Sequence, residues 1–352
     1  MRQHKIAALP GDGIGPEVLE AGLTVLEALE KTEGFNLNTI QFPWGSEYYL
    51  QHGRMMKEGG IASLRSFDAI YFGAVGSKEV PDHVTVWDFI LPIRQKFDQY
   101  VNLRPMRLLP GLKSPLDGRT SADIDMVCVR ENTEGEYCGV GGFVHRGRPG
   151  EMANEVATFT RAGIERVVTF AFELARTRPK KLLASATKSN ALRHSMVLWD
   201  EVVEDVASRF KDVTLRKYHV DALAARMVTQ PDSLDVMVAS NLFGDILTDL
   251  GAAISGSLGT APSGNLDPTR VNPSMFEPIH GSAPDIAGQG IANPIGAVWA
   301  GAMMLDHLGE KQAAARVIRA IERVTAEGKV RTPDLGGKAK TSDMTKALLD
   351  AL

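Results

Sequence analysis

NLFGDILTDL, residues 241–250, follows almost directly on the apolar run VMVA, residues 236–239, and the two read as a strand feeding a helix with acids at its mouth. Asp245 and Asp249 are one helical turn apart, so both carboxylates share a face, and Ile246, Leu247 and Leu250 are expected to form the neighbouring buried stripe. Like charges so placed repel mildly, and a cation relieves them. Two oxygen donors suit Mg²⁺ or Mn²⁺, hard ions that keep positions open for water and substrate oxygens. On spacing alone the plainer reading is favoured, in which Asp245 complements the helix dipole and Asp249 is solvated.

Outward from this unit, short β-branched runs alternate with longer amphipathic segments. Strands are expected at residues 5–9, 69–72, 125–130, 181–186, 214–220 and 235–239, and helices at 16–30, 84–97, 161–176, 191–210, 222–228 and 296–307. That alternation predicts an α/β protein with a largely parallel sheet. The glycine-rich stretch from Tyr137 to Thr158 predicts a hairpin arm, a natural dimer contact. In open α/β sheets ligands gather beyond the carboxyl ends of strands. There the expected strands deliver Arg130, Lys188, Asp221, Asn241 and Asp245, a set suited to a metal-chelating polyanion. KIAALPGDGIGPE, residues 5–17, resembles a dinucleotide fingerprint but fails it. Gly11, Gly13 and Gly15 are spaced two apart and followed by Pro16, which fits a tight strand-to-helix turn and no Rossmann unit.

The chain's 352 residues predict about two domains, and hence a cleft. A net charge of −4 supplies no basic field for nucleic acid. Cys128 and Cys138 make neither a disulfide framework nor a zinc site, which points to a reducing cytosol. Residues 6–10 are too short for the apolar core of a secretory signal. The uncharged stretch 286–305 carries Gln289, Asn293, Pro294 and several glycines, so it reads as a loop and a buried helix rather than a membrane span. Asn293 is placed to cap that helix, with Pro294 at its first position.

GDGIGPE, NLRP, RENTEGEY, TKSN, NLFGDILTDL and EPIHGSAPDIAGQGIANP, spread over essentially the whole chain, together resemble the β-decarboxylating dehydrogenases. VPDH, Trp87 and FDQYVNLRP resemble the D-malate/tartrate branch. The resemblance implies a two-lobed isopropylmalate-dehydrogenase-like fold, not a Rossmann fold. Residues 1–99 with 250–352 would form the larger lobe, and residues 100–249 the smaller lobe, carrying the dimer interface and an arm near 138–158. It implies a homodimer with active sites shared between subunits, and no nucleic acid or membrane partner.

By motif match, Asp221, Asp245 and Asp249 would bind Mg²⁺ or Mn²⁺, Asp221 coming from the partner subunit. Arg94, Arg104 and Arg130 would bind substrate carboxylates. Lys188 would be the base, again across the interface, and Tyr137 the acid. His280, Gly281, Ser282, Ala283, Asp285 and Asn293 would wrap the adenosine half of NAD. A carboxylate at Asp285 accepts ribose hydroxyls and repels a 2′-phosphate, so NAD is expected over NADP. A K⁺ requirement stays open. The implied reaction is oxidative decarboxylation of (R)-malate to pyruvate, with tartrate a further substrate. Pro92 is expected to kink the segment carrying Trp87, Ile90 and Leu91. Those apolar residues would also suit an isopropyl group, making 3-isopropylmalate the alternative substrate. A non-catalytic isocitrate dehydrogenase subunit is the remote alternative, disfavoured because base, acid and metal-ligand residues are all present.

Overall fold

The computed structural model describes residues 1–352. The strands are β1 Arg2–Gly11, β2 Phe35–Gln41, β3 Ala69–Ala74, β4 Val101–Arg107, β5 Asp125–Glu131, β6 Gly135–Val144, β7 Met152–Thr158, β8 Leu182–Thr187, β9 Thr214–His219, β10 Val236–Ala239, β11 Pro262–Leu266 and β12 Ser274–Pro278. Ten of them form one sheet in the order β2-β1-β3-β12-β11-β4-β5-β10-β8-β9, and β6 and β7 make a separate antiparallel ribbon. The ribbon is the hairpin arm, and its side chains from Val140 to Thr158 are exposed almost throughout.

Both flanks of the sheet are parallel, as the alternation of elements predicts. The centre is not. β12 with β11, β11 with β4, and β4 with β5 pair antiparallel, so the sheet is largely parallel, as expected, around an antiparallel centre that the alternation of elements does not reveal. None of β4, β11 and β12 stands out as an apolar run, because Asn102, Arg104, Ser263, Asn265 and Glu277 are buried polar residues within them. Strands before residue 75 and after residue 261 fill one half of the sheet, and strands between 101 and 239 fill the other. Residue 250 lies inside the unbroken helix Asn241–Ile254, so the expected lobe boundary falls within a helix.

On the first half the helices Gly15–Glu27, Ile295–His307, Lys311–Glu327 and Thr341–Ala351 pack together. Ile295–His307 is apolar on nearly every side and is buried accordingly. No helix is long and apolar enough to cross a membrane. Fully buried Tyr71 on β3 threads between two of these helices and donates to Ala297 O at 2.6 Å. Gly22 leaves the room for it, since a Cβ there would lie 1.9 Å from the Tyr71 hydroxyl oxygen. Gly22→Ala is expected to destabilise the chain by about 3 kcal/mol, read from denaturant midpoints, because the tyrosine can move only by giving up that bond.

Several boundaries differ from the expected ones. The helix expected at 191–210 runs Ser195–Ala207, and the strand expected at 214–220 stops at His219. The single helix expected at 84–97 is a short turn Asp82–Thr85, a π-helical turn Val86–Ile90 and a helix Leu91–Lys96. The Leu91 N–H reaches back to Val86 O, one residue further than an α-helix allows. Pro92 supplies the reason, having no N–H for the carbonyl of Asp88 and a ring that crowds it.

Candidate active site

Asp245 is the meeting point of the carboxyl-end cluster. Its Oδ1 pairs with Arg130 Nη1 and, at 3.3 Å, with Arg104 Nη1, while its Oδ2 accepts the Tyr137 hydroxyl at 3.3 Å. Burial works to raise the Asp245 pKa, but Arg130, Arg104 and Arg94 outweigh it and hold the carboxyl below its usual range. Asp249 stands one turn on, 3.9 Å from Arg104, with its side chain 62% exposed. Burial raises its pKa, Asp245 adds to the rise, and Arg104 opposes it. The two acids thus do share a face, as their spacing predicts. The apolar stripe is displaced, however: Leu247 is buried, while Ile246 is 58% exposed.

Both arginines at Asp245 are buried. Burial first, then the charge of Arg104, brings the Arg130 pKa down to about 10. A nearby anion is therefore worth more to this cluster than to a surface arginine. Arg94 joins them from the helix Leu91–Lys96, pairing at 2.8 Å with buried Glu277 on β12. Glu277 Oε1 also accepts Asn265 Nδ2 at 2.7 Å, and Asn265 Oδ1 in turn accepts Asn102 and Asn132. Arg94 is thus held by a buried polar network spanning the antiparallel centre of the sheet. Trp87 leaves the π turn to seat on Gly139 of the arm strand, where a Cβ would lie 2.9 Å from its ring. Gln95, without a role in the motif match, donates to Tyr137 O at 3.3 Å.

Lys188 and Asp221 form a second constellation. Lys188 follows β8, Asp221 stands in the first turn of the helix Val220–Thr229, and Lys188 Nζ donates to Asp221 Oδ1 at 2.6 Å. That bond leads the causes that hold the Asp221 carboxyl below its usual range. Neither residue is hydrogen-bonded or ion-paired to Asp245, Asp249 or the three arginines, and no group of three His, Cys, Asp or Glu side chains in one chain is disposed to hold a metal. One chain therefore carries two separate constellations, a lysine–aspartate pair and an aspartate–arginine cluster.

Of the residues expected at the cofactor, Gly281, Ser282 and Ala283 share with Pro284 a loop that faces residues 75–82 across a cavity of about 730 Å³, whereas His280, Asp285 and Asn293 are not in its lining. The failed fingerprint is what seats this loop. Ile14 N–H donates to Ser282 O at 2.9 Å, and Gly13 is a glycine at φ +58° because a Cβ would lie 2.0 Å from that carbonyl. Burial pushes the His280 imidazole pKa down; its Nδ1 lies 2.9 Å from Gly281 O, and its Nε2 has no partner. Asp285 is exposed. Asn293 is buried and its amide is spent within the chain, Oδ1 accepting Ile295 N–H at 3.0 Å and Nδ2 donating to Asp334 at 2.9 Å. The helix starts one residue later than expected, at Ile295 with Pro294 at its N-cap, so Asn293 satisfies the first helical N–H from just outside the cap position.

The isocitrate/isopropylmalate dehydrogenase profile matches residues 5–348. The chain belongs to this family. Among its relatives, a probable tartrate dehydrogenase/decarboxylase of Agrobacterium vitis is 57% identical over 353 residues, covering 100% of this chain and 98% of the relative. The D-malate dehydrogenase (decarboxylating) of Escherichia coli K12 is 53% identical, covering 99% of this chain and 98% of that one. The crystal structure of isocitrate dehydrogenase from Methylococcus capsulatus superposes with a TM-score of 0.89 at 35% identity, over 99% of both chains. As a member of the isocitrate/isopropylmalate dehydrogenase family the chain is an oxidoreductase with a two-lobed α/β fold and no Rossmann unit.

Several residues that organise this family member's site stand inside the quoted motifs without a role assigned to them there. Glu277 opens EPIHGSAPDIAGQGIANP, and its pairing shows only in the structure, where it is buried within the strand Ser274–Pro278. Glu136 accepts Leu242 N–H at 3.1 Å and so caps the helix of Asp245 from the arm strand. Asp12 gathers Ser46 N–H, the Ser46 hydroxyl and Gly76 N–H, fixing the wall opposite the 281–284 loop.

Proposed function

We propose that the chain is an NAD-dependent, divalent-metal-dependent dehydrogenase that oxidises (R)-malate at C2 and decarboxylates the product to pyruvate and CO₂, with tartrate as a further substrate. The observation that carries this is the convergence of Arg104, Arg130 and Tyr137 on Asp245 beside Arg94, in a chain whose relatives are named for tartrate and D-malate.

Asp245 and Asp249 fit a hard cation: two carboxylates share one helix face, and Asp245 is kept ionised although partly buried. With Asp221 of the partner subunit they would hold Mg²⁺ or Mn²⁺. The 730 Å³ cavity and the unpartnered His280 Nε2 fit the dinucleotide, and the exposed Asp285 on the same loop would meet the ribose. When bound, the ion supplies Lewis acidity at the C2 oxygen and NAD accepts the C2 hydride. Arg94, Arg104 and Arg130 grip the C1 and C4 carboxylates, since a guanidinium fork matches a carboxylate in two directions. The partner's Lys188 takes the hydroxyl proton. Oxidation precedes decarboxylation because the new C2 ketone is the electron sink for the C3–C4 bond. Tyr137 then protonates C3. Its pKa is raised, by burial first and next by Asp245, so the phenol keeps its proton at neutral pH.

This reading includes a homodimer built on the arm and the second half of the sheet, with the lobes divided near residues 99 and 250, in the cytoplasm. 3-Isopropylmalate is the second reading, favoured by the exposed Val86 and Trp87 ahead of Arg94. Steady-state kcat/KM for (R)-malate, tartrate, 3-isopropylmalate and isocitrate, with NAD or NADP and with K⁺ present or replaced by Na⁺, decides between them. (R)-Malate or tartrate with NAD is expected to lead by at least tenfold; a lead for 3-isopropylmalate overturns the assignment. NADH formation by the purified chain alone rules out a non-catalytic subunit.

A further inference from the structure

Asn241 opens the helix that carries Asp245, yet it points into the protein and is 1% exposed. Its Oδ1 accepts two donors of one guanidinium, Arg130 Nε at 3.0 Å and Arg130 Nη2 at 2.7 Å. Its Nδ2 donates to Glu134 O at 3.1 Å, which fixes which way the amide faces. Gly244 lies one turn further on the same face, and a Cβ there would come within 2.6 Å of Arg130 Cγ and 2.7 Å of Cβ. Asp245 then meets the remaining donor, Nη1. Residues 241, 244 and 245 thus form a saddle in which the Arg130 stem lies against a glycine, one edge of its guanidinium is held by an amide, and its free end is directed at the cluster around Asp245.

We propose that Asn241 is a positioning residue for Arg130, and that an amide is required because it fixes the guanidinium plane without adding a second carboxylate to the one Asp245 supplies. This rests on the reading of Arg130 as a substrate-carboxylate ligand. An aspartate in the same place would pair with Nε and Nη2 while Asp245 holds Nη1, setting two carboxylates on one guanidinium and leaving negative charge where a substrate carboxylate has to be attracted. It would also set a second oxygen against Glu134 O, where the amide now donates. A charge-assisted hydrogen bond contributes about 1.5–3 kcal/mol, so loss of one such interaction with substrate corresponds to roughly a 10- to 100-fold weakening.

The test uses Asn241→Asp and Gly244→Ala in the full-length, Mn²⁺-loaded protein. The probe is whichever of (R)-malate, tartrate, 3-isopropylmalate and isocitrate binds the wild type most tightly. Calorimetric binding of that acid without NAD is expected to weaken at least tenfold in Asn241→Asp, and its KM to rise in parallel. The KM for NAD is expected to stay within twofold. Gly244→Ala, which leaves the amide in place and displaces the Arg130 stem, is expected to weaken acid binding in the same way. The proposal is overturned if both variants bind the acid within twofold of the wild type, or if NAD is weakened equally. A wrong substrate assignment shows in the wild type's ranking of the four acids, whereas a wrong role for Asn241 shows only in the ratio of variant to wild type.

Discussion

Asp245→Asn is expected to lower kcat/KM for the hydroxy-dicarboxylate by about 10³-fold or more, equivalent to about 4 kcal/mol of transition-state stabilisation. The substitution keeps the shape of the side chain and removes its charge. Arg130 and Arg104 then lose the carboxylate they share, and the Tyr137 hydroxyl loses its acceptor of one geometry. The proposed cation loses a ligand from a set to which one chain contributes only two. Since one acid serves three partners, no single compensating shift restores the cluster. Mn²⁺ titrations at saturating NAD measure the effect, and a variant within tenfold of the wild type at saturating Mn²⁺ rules out the metal role.

Lys188→Met is expected to lower kcat by about 10²- to 10⁴-fold, the usual range for removing a general base, with little change in the KM for NAD. The variant keeps the length of the side chain and deprives Asp221 of its 2.6 Å partner. Because the Lys188–Asp221 pair and the Asp245 cluster are separate within one chain, the two inactive variants should complement each other when their subunits exchange. A heterodimer of Asp245→Asn and Lys188→Met contains one site with both defects and one with neither. Random reassortment therefore returns about a quarter of wild-type activity in a symmetric dimer with shared sites. No recovery after verified subunit exchange means that each chain completes its own site.

Features set by local spacing were legible in the sequence. The strand–helix unit around NLFGDILTDL, the turn in GDGIGPE, the exposed ribbon and the buried helix after Asn293 all follow from residue types at fixed offsets. Features set by partners distant along the chain were not. β4, β11 and β12 escape an apolarity reading because Asn102, Asn265 and Glu277 are buried by bonding one another. The helical stripe was misplaced at Ile246, since spacing gives the angle between residues but not the direction in which the core lies. Pro92 signalled a disturbance, but not that the helix would absorb it as a π turn. For the active residues, the motifs indicated which side chains matter. Which of them meet within one chain is a matter of topology alone.

The two halves of the molecule are joined by the antiparallel β11–β4 ladder, with asparagines cross-linked beside it. Prising them apart would expose unpaired amides on both sides at once, a cost that neither half can meet alone. The chain is accordingly expected to melt as one cooperative body rather than as two beads on a string, with neither portion a free-standing module that could be traded between proteins.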